Sequence, residues 1–76
     1  MERQKIYKRI DKERDHQDLK HNLIEPIPAE LTLMGVYLAK AKFDWAYKKN
    51  SLHQIRKIVA LGVRCLESWG CPERRK

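Results

Sequence analysis

The chain has 76 residues, with 17 Lys and Arg against 10 Asp and Glu, a formal charge of +7, and 42% hydrophobic residues. This length holds one small domain, and such a domain buries only about 60% of the surface its unfolded chain exposes. It is too short for a Rossmann domain or a TIM barrel, too poor in Gly and Pro (three of each) for a turn-rich β-barrel, and too hydrophobic for disorder. Stability must come from economical helices, a staple or a partner subunit.

Residues 1–22 are the first predicted element, an N-terminal helix or arm. They hold seven Lys/Arg and five Asp/Glu, mixed in sign. Helical spacing offers the pairs Asp11–Arg14 and Arg9–Glu13. Ile6 and Ile10 lie one turn apart, and little else apolar shares their face, so the stripe is narrow. Residues 23–28 are a connector, because Pro26 and Pro28 hold the chain extended. Leu23, Ile24 and Ile27 are expected to tuck against the helices.

Residues 29–49 form the second helix. Pro28 suits a first turn, and Glu30 suits the positive end of the dipole. Advancing about 100° per residue gathers Leu31, Met34, Tyr37, Leu38, Ala41 and Trp45 on one stripe. A weaker stripe holds Val36, Ala39, Phe43, Ala46 and Tyr47. Lys48 and Lys49 close the helix at its negative pole, and Ser51 is the expected N-cap of the next.

Residues 52–69 form the third helix. His53, Gln54, Arg56, Lys57, Arg64, Glu67 and Ser68 fall within an arc of about 160°. The rest of the circumference is apolar, from Leu52 to Trp69, with Gly62 among the apolar residues. A face this wide is expected to touch more than one neighbour. Leu52, Ile55, Val59, Leu66 and Trp69 are the expected core or interface. Gly70 and Pro72 stop the helix, and residues 70–76 form a basic tail.

Chemistry is sparse in this pattern. Glu30, Asp44 and Glu67, the acids of the two long helices, are not spaced as pairs, so no metal, cofactor or acid–base site is expected. Glu13, Asp15 and Asp18 lie among Lys and Arg and read as a solvated face. Cys65 and Cys71 are too far apart for C-x-x-C chemistry and read as free thiols in a reducing cytoplasm. No apolar run reaches the roughly 18 residues of a membrane span, and no membrane partner is expected. The basic excess is spread along the chain. Its candidate polyanion contacts are Arg56, Lys57 and Arg64 on the third helix, and Arg74, Arg75 and Lys76 in the tail.

The run Glu13-Arg14-Asp15-His16-Gln17 with Lys20-His21 resembles the E-R-x-R-Q…K-x-G opening of small MazG-like proteins of phages, prophages and bacteria. Leu31-Thr32-Leu33-Met34-Gly35-Val36, with Ala39 and Ala41, is similar to their L-E-E-x-G-E…A…A helix. The segment Ile55 to Glu67 is similar to their final helix. The resemblance covers most of the chain and implies an all-α bundle completed by oligomerisation. In active members, E-x-x-E and E-x-x-D pairs on facing helices bind magnesium, and a water splits a nucleoside triphosphate into monophosphate and pyrophosphate. Those positions fall here on Leu33, Val36, Gln54 and Lys57, none of them a carboxylate. A lysine there opposes a divalent cation.

The expectation is an all-α protein of two long antiparallel helices plus an N-terminal arm. It would be a catalytically degenerate MazG-like binding or scaffolding module that works as a homodimer. The alternative is a basic helical module that binds nucleic acid or another polyanion.

Overall fold

The computed structural model describes residues 1–20 and 25–74. Among them are three helices, α1 (Arg3–Lys20), α2 (Ile27–Ala46) and α3 (Leu52–Trp69), and no strand. The expectations for Leu23, Ile24, Arg75 and Lys76 fall outside the described residues.

Helix α2 begins one residue before Pro28, with Pro26 as an extended N-cap. Its backbone carbonyl accepts from the amides of Ala29 and Glu30, so the first turn closes without a side-chain cap. The helix ends at Ala46 rather than at Lys49. The amide of Lys49 donates to the carbonyl of Asp44 at 2.7 Å, and that of Lys48 to Trp45 at 3.1 Å. This closing pattern needs a residue in the left-handed region, and Lys48 takes it at φ 59°. Ser51 occupies the N-cap of α3 but makes no side-chain cap; Asn50 Oδ1 accepts from the amide of Leu52 at 3.0 Å instead. Gly70, at φ 106°, stops α3 as expected.

Helix α3 is central. Both α1 and α2 pack on it, and neither packs on the other. The buried apolar residues are Ile10, Ala41, Ala60 and Leu61, while Arg14, Gln17, Glu30 and Arg64 are also buried. Polar groups thus make up half of the interior of the described chain, and each needs a partner there. The main α2 stripe is split. Met34, Tyr37 and Ala41 turn inward, whereas Leu31, Leu38 and Trp45 stay exposed.

Two global measures reflect this open arrangement. The radius of gyration is 13.4 Å, against about 11 Å for a compact chain of this length. The accessible surface is 6657 Å², roughly 1,800 Å² more than a compact monomer of 9.1 kDa presents.

Candidate functional site

The buried residues of α3 are Ala60, Leu61 and Arg64, and Gln54, Arg56 and Lys57 of its polar arc are half-buried. Arg14, 9% exposed, sends Nε and Nη2 to the two carboxylate oxygens of Glu67 at 3.2 and 2.7 Å, and Nη1 to Asp18 at 2.8 Å. The hydrogen bond to Glu67, strengthened by Asp18, holds the Arg14 guanidinium charged well above the ordinary arginine range, although burial works in the opposite direction. Arg56 Nε donates to Glu13 at 2.9 Å. Arg64, 5% exposed, forms an ion pair with Glu30, 3% exposed, at 3.6 Å. Gln17 Nε2 donates to the Lys57 carbonyl at 3.4 Å. Apart from Arg14–Asp18 within α1, the helix wheel cannot show these contacts, because the partners sit on other helices. Glu13 and Arg14, placed in local pairs by the sequence, reach Arg56 and Glu67 of α3.

Of the candidate polyanion contacts, Arg64 is buried with Glu30, and Arg56 is paired with Glu13 while its side chain stays 35% exposed. Lys57 is half-buried, with its ammonium 5.4 Å from the Tyr37 ring. Arg74 is exposed on the tail.

Leu52, Ile55, Val59, Leu66 and Trp69 face outward and are 45–65% exposed. They lie outside the core of the single chain. No charged residue interrupts their arc, and Gly62 lies within it with nothing within 4 Å of a Cβ placed there. Only Trp69 has a polar tether, donating from Nε1 to the Glu25 carbonyl at 3.0 Å. An uncharged, exposed face of this length is an association surface in the usual case.

A hollow of about 320 Å³ lies between α1 and α2 over α3. Leu33, Tyr37, Lys57 and Leu61 line it, with Glu13 and Gln17 on the α1 side. Leu33 and Lys57, two of the four positions that the MazG-like resemblance would align with magnesium ligands, meet here. Val36 lines a neighbouring hollow, and Gln54 is half-buried with Oε1 unpartnered. These residues do not fit a divalent cation. Glu13 is the one acid among the described residues lining the hollow, and Arg56 holds it. Among the described residues no group of three His, Cys, Asp or Glu converges. Also among them, no helix is long and apolar enough to cross a membrane.

No protein-family model matches the chain, and no curated protein or solved structure matches it either. The MazG-like resemblance rests on the sequence motifs alone.

Proposed function

We propose that the chain is a non-catalytic helical module that acts as a homodimer, joined through the outer face of α3. The observation that carries this reading is the orientation of α3: Arg56, Lys57 and Arg64 turn toward the other two helices, and Leu52, Ile55, Val59, Leu66 and Trp69 are left exposed. The surplus surface supports it. A second copy is the occupant that matches this arc most directly. A two-fold interface sets the same patch against itself. An uncharged patch does so without bringing two +7 chains into charge contact.

The module keeps a MazG-like helical plan without its acidic pairs, and it works as a binding or scaffolding unit in the cytoplasm. The free thiols Cys65 and Cys71 suit such a reducing compartment. Light scattering after gel filtration tests the association. Wild type should elute as a dimer and Val59→Asp as a folded single chain, because Val59 is already exposed and the aspartate burdens only the interface. A wild-type monomer overturns the dimer. Pyrophosphate release from nucleoside triphosphates with magnesium overturns the non-catalytic part.

A further inference from the structure

We infer that two copies pair antiparallel along α3, about a two-fold axis level with Ala60 and Leu61. The inference rests on the homodimer reading and adds the partner's direction and register. Leu52, Ile55, Val59, Gly62, Leu66 and Trp69 follow one another at alternating steps of three and four residues. That is the a/d spacing of a two-helix seam. At about 100° per residue the six positions fall within an arc of about 100°. The five side chains are 45–65% exposed, and a Cβ placed on Gly62 would meet nothing within 4 Å. They leave on the order of 500 Å² open on each chain, so two copies reach the roughly 1,000 Å² that a specific interface must clear. The half-buried flanks Ile58, Val63 and Cys65 add to that area.

Side-chain size selects the direction. Reversing one helix turns its three-four spacing into four-three, so each a position meets a d position. Leu52 then meets the partner's Trp69, Ile55 the partner's Leu66, and Val59 the partner's Gly62. One two-fold axis generates all three layers and their symmetry mates. The layers are smallest at the centre and largest at both ends. The helices therefore approach most closely at Val59 and Gly62 and open evenly to either side, the profile that two crossing helices need. A parallel pair would set Gly62 against the partner's Gly62, leaving a void, and two layers on would crowd Trp69 against the partner's Trp69. The flanks fit the antiparallel pair as well. Arg56 lies beside the partner's Val63, and Ile58 beside the partner's Cys65, so no two cations face each other. The two α3 dipoles also run opposite ways, whereas a parallel pair aligns them.

Chemical linking of the full chain tests the register. Ser51 stands at the start of α3 and makes no side-chain cap, and Cys71 is exposed just past its end. In the variant Ser51→Cys with Cys65→Ser, the antiparallel pair sets position 51 beside position 71 of the partner. A short bismaleimide should then give a covalent dimer, with 51–71 links about tenfold over 51–51 and 71–71 links by peptide mapping. Within one chain the two positions stand about 30 Å apart, so such a link must join two chains. In wild type the two Cys71 thiols lie about 30 Å apart across the axis, so the same reagent should not join them. Sedimentation before linking gives the mass independently. A dimer without the 51–71 link, or a wild-type dimer joined through Cys71, overturns the register and leaves the homodimer standing. A single-chain mass overturns both.

Discussion

Replacing Arg14 with methionine should undock α1 while leaving the α2–α3 hairpin intact. Arg14 straps α1 to α3 through two bonds to Glu67, while a third bond, to Asp18 within α1, holds its guanidinium in place. Fully buried charge-assisted bonds contribute about 1.5–3 kcal/mol each. Here the arginine side chain is 11% exposed, but Glu67 and Asp18 are more than half exposed, so water can resolvate them once released. Methionine keeps most of the apolar stem in place. The net cost is then about 2 kcal/mol for all three bonds, well below a sum of buried values. The raised affinity of Arg14 for its proton gives the sign for pH. A cation held more firmly in the folded state keeps its contribution around neutral pH and loses it only as pH rises beyond the ordinary arginine range, so this contribution is constant in near-neutral buffers. The assay is hydrogen exchange resolved by segment. The α1 amides should lose about 2 kcal/mol of protection, while those around Leu61 keep theirs. Unchanged α1 protection, or a uniform loss throughout the chain, refutes the strap.

Two other substitutions probe the interior and the outer arc. Arg64→Met leaves the Glu30 carboxylate buried without its cation and with Oε2 already unpartnered, so urea denaturation should register a loss of about 3 kcal/mol; a loss below about 1 kcal/mol contradicts the buried pair. Gly62→Ala places a methyl group where nothing lies within 4 Å, so at concentrations low enough to keep the chain single it should gain about 1 kcal/mol from helix propensity; a loss there shows that another element already covers Gly62.

The helices were legible because their signals are local. Pro26 and Pro28 mark the entry to α2, Asn50-Ser51 marks the turn, and Gly70 marks the stop, so α3 emerges at its expected bounds of 52–69. The end of α2 was misplaced by three residues because Lys48 does the work usually given to glycine. The orientation of α3 was harder to see. A wheel sorts one helix into polar and apolar arcs and assigns the polar arc to water. Here Arg56 and Arg64 meet Glu13 and Glu30, and Glu67 meets Arg14, across 34 to 53 residues of sequence separation, and no spacing rule joins such positions. The remaining hint was compositional: Glu13 and Arg14 lie on a helix with so few apolar residues that Ile10 alone of them is buried, and its docking relies on charged and polar contacts. The same fact explains the outward apolar arc, since neither α1 nor α2 covers it.

Sedimentation equilibrium of the wild-type chain tests the central claim most directly. The outward face of α3 predicts twice the 9.1 kDa chain mass at micromolar concentration, falling toward the single-chain mass only on strong dilution. A folded species of 9.1 kDa throughout the concentration range would contradict the account, because the exposed arc of Leu52, Ile55, Val59, Leu66 and Trp69 would then face water in the working protein.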